Sequence, residues 1–297
     1  MATRDEWIAG TRPKTLPAAV APVLVGTAIA EFEGSFRPVI ALLALVVSLA
    51  LQVGVNYAND YSDGIRGTDE NRVGPVRLVG QKLATPDEVR WAAFIAFGVS
   101  ALAGLGMVLL SQFWLLIPIG LSAIAAAWFY TGGSKPYGYA GYGEAFVFVF
   151  FGLVAVAGTS ASQTGRITLL SLLGGVACGA LSTAILVANN LRDIPTDALS
   201  GKRTLAVRLG DAKTRELYRA CILVGFFMPL AMNFSETGPE SAFIGLFAIL
   251  SARRPLQAMR SGVTGPALIP VLADTARMLL LFSGMLSVAI WLSPNGM

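Results

Sequence analysis

The stretch "PVIALLALVVSLALQVGVNYANDYSDGIRGTDENRVG", Pro38 to Gly74, decides how the chain is read. Its first part, Pro38 to Tyr57, carries no charge. A bilayer core of about 30 Å takes about 20 apolar residues of α-helix, so this run is expected to cross a membrane. The character then reverses. Asp60, Asp63, Asp69 and Glu70 crowd beside Arg66 and Arg72. An apolar helix thus delivers a cluster of carboxylates to one membrane face.

The rest of the chain fits that solvent. Of 297 residues, 55% are hydrophobic and 13% charged, with a mean hydropathy of +0.65. Soluble domains carry about 25% charged residues. The formal charge of +4 does not point to nucleic acid, because the bases sit in loops between apolar runs. The chain has no histidine, which excludes His-based triads and His-ligated zinc or haem. A metal would have to be held by oxygen, which favours Mg²⁺ or Mn²⁺. Cys178 and Cys221 both lie in apolar runs and are expected to be buried, inert thiols.

The expected fold is an all-α polytopic membrane protein, a single domain over 1–297. Nine apolar runs are read as transmembrane helices, at about 15–31, 38–57, 89–110, 113–130, 144–162, 167–189, 214–234, 239–252 and 274–293. "GTAIAE", Gly26 to Glu31, has the look of a leader cleavage site, but the chain beyond it is itself polytopic. A retained first span is therefore expected. Charge sets the orientation, since Lys and Arg mark cytoplasmic loops. With the N-terminus inside and the C-terminus outside, all but Arg37 and Arg166 of the 22 Lys and Arg fall on the cytoplasmic side. All but Glu31, Glu33, Glu236 and Glu240 of the 18 acids fall there too. The loops at about 58–88 and 190–213 become cytoplasmic caps. The expected location is a plasma membrane, with the site facing the cytoplasm.

A second polar stretch, "NNLRDIPTDALSGKRTLAVRLG", runs from Asn189 to Gly210. Asp193 and Asp197 are four apart, as are Asn59 and Asp63 in the first. On a helix such pairs share a face. Two such ends facing each other would form an oxygen cage. Like charges at close range repel, so the cage makes sense around a divalent cation. Mg²⁺ is typically held by one or two carboxylates plus substrate phosphates. The two stretches therefore suit a diphosphate gripped through Mg²⁺, with Arg72, Arg77, Lys202 and Arg203 on its other oxygens. Ordinary charged helix ends would explain one such motif. Two on the same side, each with a glycine and bases following, favour a built site.

A third stretch, "YTGGSKPYGYAGYGE" from Tyr130 to Glu144, lies on the same face. Its glycines and Pro136 suit a tight hairpin or re-entrant loop. Tyr130, Lys135 and the carboxylates are the acid–base groups at hand; a plain turn with a topology-marking lysine is the alternative.

These three stretches, in this order, resemble the aspartate-rich motifs and third signature of the UbiA superfamily of intramembrane aromatic prenyltransferases. The resemblance extends over nearly the whole chain. "WIAGTRPKTLPAAVAPVLVGTA" and "RGTDENRVGPVR" are most similar to its naphthoate branch, in menaquinone biosynthesis. Ubiquinone-type members place a third acid where this chain has Gly67; Asp69 is the nearest later one.

The resemblance implies a lipid-open UbiA-like bundle with a central cavity. It implies transfer of a polyprenyl group from an allylic diphosphate to 1,4-dihydroxy-2-naphthoate, with loss of diphosphate and CO₂, giving demethylmenaquinone. The cofactor implied is Mg²⁺, two ions, with Mn²⁺ the alternative. By carry-over the metal and diphosphate ligands are Asn59, Asp63, Asp193 and Asp197, with Asp69 a further candidate. Asn190, Arg72, Arg77, Lys202 and Arg203 join the diphosphate site. Lys135 or Tyr130 would orient the acid, and Asp63 or Asp60 would serve as base. Arg12 and Lys14 are further candidates for its carboxylate. The competing readings are another UbiA-type transferase, acting on 4-hydroxybenzoate, haem or chlorophyll precursors, or a divalent-cation transporter.

Overall fold

The computed structural model describes residues 2–67, 76–235 and 238–294. The described residues contain no strand. The helices are α1 (Arg4–Gly10), α2 (Pro17–Phe32), α3 (Pro38–Ile65), α4 (Pro86–Ser111), α5 (Leu116–Phe129), α6 (Gly143–Phe148), α7 (Ala155–Thr164), α8 (Leu169–Leu199), α9 (Leu205–Asn233), α10 (Arg253–Arg260) and α11 (Ile269–Leu292). A π-helical turn, Val149–Val154, joins α6 to α7. A 3-10 segment, Ala242–Ala252, precedes α10.

Local chemistry sets the ends. Pro38 and Pro86 stand in the first turns of α3 and α4, where a missing N–H costs nothing. Thr85 and Glu88 close a reciprocal capping box on α4, satisfying two backbone donors. Gly67 ends α3 with φ 69°, a left-handed conformation that glycine adopts freely.

Among the described residues, five helices are long and apolar enough to cross a membrane: Pro38–Ile65, Pro86–Ser111, Gly143–Thr164, Leu169–Leu199 and Gly265–Leu292. The count is six if Arg4–Thr15 and Pro17–Phe32, bent by 52°, form one span. The all-helical fold is as expected, and five or six of the nine expected spans meet this measure among the described residues. Leu116–Phe129 is apolar but short, and α9 carries charges through its first turns.

The packing uses glycine where helices cross closely. A Cβ on Gly152 would lie 2.4 Å from Gly175 O and 2.4 Å from Gly179 Cα. The π-turn can approach α8 only because all three side chains are absent, as in close membrane crossings. α8 packs along α9, α3 along α4, and α2 along α11. Cys178 and Cys221 are buried free thiols, as expected.

Candidate active site

The two acidic stretches prove to be helix ends rather than loops. α3 continues through Ile65 and α8 through Leu199. Both helices border a cavity of about 520 Å³.

On α3, Gln52, Asn56, Asn59 and Asp63 all line the cavity. Their spacing of four, three and four residues is that of one helical face. On α8, Asn190 and Asp197 line it as well. The expected pair on this helix was Asp193 with Asp197. Instead Asp193 is buried in a bidentate bond with its own neighbour: Arg192 Nε and an Nη donate to its two oxygens at 2.6 and 2.7 Å. Asp193 does not line the cavity.

Asp60 is also turned away. Its carboxylate accepts from the backbone N–H of Leu78 at 2.7 Å and of Val79 at 3.2 Å. The turn at 78–79 packs so tightly that a Cβ on Gly64 would meet Val79 Cγ1 at 2.4 Å. Asp60 holds this turn onto α3, and it does not line the cavity.

Asp63 is the hub. It is 3% exposed. Lys202 Nζ donates to its Oδ1 across 3.1 Å, and an Arg77 Nη lies 3.8 Å from its Oδ2. The Tyr139 hydroxyl donates to Oδ1 as well. A buried carboxylate needs such partners, because desolvation penalises the charge. The Tyr139 phenol is itself raised above its ordinary pKa, first by burial and then by the Asp63 charge. It therefore stays protonated and keeps donating.

The third stretch is folded around this hub. Thr131 Oγ1 donates to Asn59 Oδ1 at 2.8 Å. Arg66 donates to the carbonyls of Thr131 and Gly133, and its guanidinium sits 5.5 Å from the Tyr139 ring centroid. Arg203 N–H donates to Tyr139 O at 2.9 Å. Lys202 Nζ lies 4.6 Å from the Tyr139 ring centroid. Two of the basic candidates named from sequence point outward: Lys135 and the Arg203 side chain are exposed. Lys202, 7% exposed, and Arg77, 6% exposed, are buried bases at the site. Asp69 and Arg72 lie outside the described residues.

Tyr139 was missed because it is one of four tyrosines in a glycine-rich loop, with no spacing to single it out. Its pairing across the fold with Asp63 is visible only in three dimensions. Asn56 and Gln52 were missed for lack of charge; their spacing with Asn59 and Asp63 was the available signal.

Below the polar end the wall is aromatic. Tyr130, Tyr137, Phe146 and Phe150 all line the cavity. Tyr130 meets Tyr137 edge-on at 5.5 Å, Tyr137 stacks on Phe146 at 4.0 Å, and Phe146 stacks on Phe150 at 6.0 Å. The cavity thus joins a charged, amide-rich end to an apolar, ring-lined body. That suits an amphiphile with a polyanionic head, and a reaction whose charge develops where the two regions meet.

The UbiA prenyltransferase family matches residues 19–262. The chain belongs to that family. It is 53% identical over 283 residues to 1,4-dihydroxy-2-naphthoate octaprenyltransferase of Mycobacterium tuberculosis, covering 95% of this chain and 96% of that one. It is 38% identical over 296 residues to the enzyme of the same name from Escherichia coli, covering 97% and 95%. Its fold is similar to that of a UbiA homolog from Archaeoglobus fulgidus bound to GPP and Mg²⁺, with a TM-score of 0.67 and 13% identity over 95% of this chain and 99% of that one.

Proposed function

We infer that this membrane enzyme transfers a polyprenyl group from an allylic diphosphate to 1,4-dihydroxy-2-naphthoate. Diphosphate and CO₂ are released, and the product has the demethylmenaquinone skeleton at the quinol level. The observation that carries this reading is the 53% identity to a naphthoate octaprenyltransferase over nearly the full length of both chains.

The donor set supports divalent-metal dependence. Among the described residues no three acids converge. Asp63 and Asp197, with the amide oxygens of Asn59 and Asn190, border one end of the cavity. Two carboxylates and neutral oxygens match Mg²⁺ held jointly by protein and substrate phosphates. Bound there, Mg²⁺ would neutralise charge on the departing diphosphate. Lys202 and Arg77 already neutralise Asp63 and are placed to meet the remaining phosphate oxygens.

The allylic C–O bond breaks with its electron pair going to diphosphate. The resulting carbon charge faces the Tyr130–Phe150 wall, where each ring contributes about 0.5–2 kcal/mol of cation–π stabilisation. A ring carbon of the dihydroxy acid forms the new C–C bond, and the carboxylate leaves as CO₂. Arg12 lines the cavity and is the partner for that carboxylate. Lys14 is exposed and is set aside.

The topology follows the same reading. Each of the nine apolar runs overlaps a helical element, which supports reading them as nine spans. The short eighth is a 3-10 segment of 11 residues. At about 2.0 Å per residue it reaches further than an α-helix of equal length. The N-terminus and the charged end of the cavity are cytoplasmic, in a single domain.

The deciding experiment offers equal concentrations of 1,4-dihydroxy-2-naphthoate and 4-hydroxybenzoate with one polyprenyl diphosphate, and analyses the lipid extract by mass spectrometry. The naphthoate product should dominate. Prenylated 4-hydroxybenzoate as the main product would overturn the acceptor assignment.

A further inference from the structure

The cavity face of α3 carries one polar group that the diphosphate chemistry does not use. Gln52 is 6% exposed and lines the cavity. Its Oε1 is buried and has no hydrogen-bond partner among the described residues. A buried, unpaired carbonyl costs free energy, so a ligand donor is the expected complement.

The amide orientation is determined by its neighbours. Thr15 has one hydroxyl proton, and it donates to Arg12 O at 2.9 Å. Thr15 Oγ1 is then an acceptor, taking Gln52 Nε2 at 2.9 Å and Asn56 Nδ2 at 3.3 Å. Asn56 Nδ2 also donates to Thr11 O at 2.8 Å. Turning the Gln52 amide over would set its carbonyl against an oxygen with no proton left to give. Oε1 is thereby held as a fixed acceptor.

We propose that Gln52 is the specificity residue that reads a ring hydroxyl of the acceptor, accepting its hydrogen bond through Oε1. This rests on the proposed function. Of the two substrates, only the dihydroxy acid brings hydroxyl donors; the allylic diphosphate is an anion with a hydrocarbon tail. Depth agrees. Gln52 lies seven residues before Asn59 on the same face of α3, about 10 Å along the axis at 1.5 Å per residue. That sets it about two helical turns from Asn59, away from the charged end of the cavity. Arg12, beside Thr15 in this network, lines the same wall and holds φ 54°, a left-handed conformation uncommon for a side-chain-bearing residue. The hydroxyl reader and the carboxylate partner are therefore built as one unit.

The test uses the full-length protein in lipid nanodiscs. It measures inhibition or turnover constants for 1,4-dihydroxy-2-naphthoate and for its two mono-hydroxy analogues, each lacking one ring hydroxyl. In wild type, one analogue should bind more weakly than the diol by roughly tenfold to a hundredfold, the cost of leaving the acceptor unpaired. Gln52→Met, close in length and without an amide, should shrink that discrimination to about threefold or less. It should leave the KM for polyprenyl diphosphate unchanged within the same factor, as additivity at separate sites requires. If wild type binds both analogues as tightly as the diol, the assignment is overturned without recourse to any variant. If Gln52→Met keeps the full discrimination, Gln52 is not the reader, while the proposed function stands. If the diol is not prenylated at all, the proposed function falls and this assignment falls with it.

Discussion

Lys202 donates to Asp63 across 3.1 Å, joining the C-terminal turn of α3 to the segment between α8 and α9. Both groups are more than nine-tenths buried. The contact ties together two parts of the chain separated by 139 residues, and it sets the charge balance at the mouth of the cavity. A metal site of acids alone would be strained by repulsion before its ion arrived. Here the folded protein supplies the counter-charge itself, and Tyr139 completes the shell.

Asp63→Ala should abolish the hub. The expected loss in turnover is on the order of a thousandfold or more, the rate equivalent of several kcal/mol of charge stabilisation. The same substitution at Asp60 should behave differently. Asp60→Ala releases the 78–79 backbone, so it should lower thermal stability first. A side-by-side measurement of turnover and melting temperature separates the two; equal effects on both quantities would contradict the assigned roles.

Lys202→Met leaves Asp63 with Arg77 at 3.8 Å and the Tyr139 hydroxyl. The KM for polyprenyl diphosphate should rise by roughly tenfold or more, the usual scale for losing a charge-assisted contact to phosphate. Lys135→Met, at an exposed position, should change it by less than a factor of about two. Initial rates against prenyl diphosphate concentration distinguish them.

Tyr139→Phe removes one hydrogen bond to Asp63 and keeps the ring under Lys202 and Arg66. A net stability cost of about 1 kcal/mol is expected, with a measurable fall in kcat. The alkaline limb should move as well. Because the folded phenol is raised above its unfolded value by burial and by Asp63, the unfolded state ionises first. That contribution to stability is present below about pH 10 and is lost as the pH climbs past it. Tyr139→Phe should therefore flatten part of the high-pH decline in melting temperature.

Chelation should stop turnover, and Mg²⁺ should restore it. Asp197→Ala should raise the Mg²⁺ concentration needed for half-maximal rate, whereas Asp193→Ala should act mainly on stability by removing the bidentate partner of Arg192 and leaving it the bond to Asn189 Oδ1. Metal titration of each variant is the measurement. A metal requirement altered by Asp193→Ala alone would reverse the assignment.

Gly152→Val should prevent the π-turn from seating on α8, since its first side-chain atom would fall 2.4 Å from backbone atoms of Gly175 and Gly179. Overpacking typically costs about 1–3 kcal/mol, and backbone cannot yield as a side chain does. The expected result is a much lower melting temperature or loss of monodisperse protein in detergent chromatography.

The sequence alone determined the solvent and the inventory. Uncharged runs the length of a bilayer demand helices, because lipid offers backbone groups no partner. The absence of histidine restricted any metal to oxygen ligands, and the order of the three polar stretches pointed to the family. Which side chain at each helix end meets the cavity was decided by tertiary structure. Asp60 and Asp63 are separated by three residues on one helix, yet one grips the 78–79 backbone and the other lines the cavity. Asp193 and Asp197 divide in the same way, because Arg192 folds back onto the first. Helical spacing places residues on a face but does not say which part of that face a neighbouring loop will cover. Lys135 and Lys202 are both bases near a turn; only the path of the chain through Gly201 and Arg203, pinned to Tyr139, buries one against Asp63 and leaves the other in solvent. Those choices depend on contacts between segments far apart in the chain, and no local pattern encodes them.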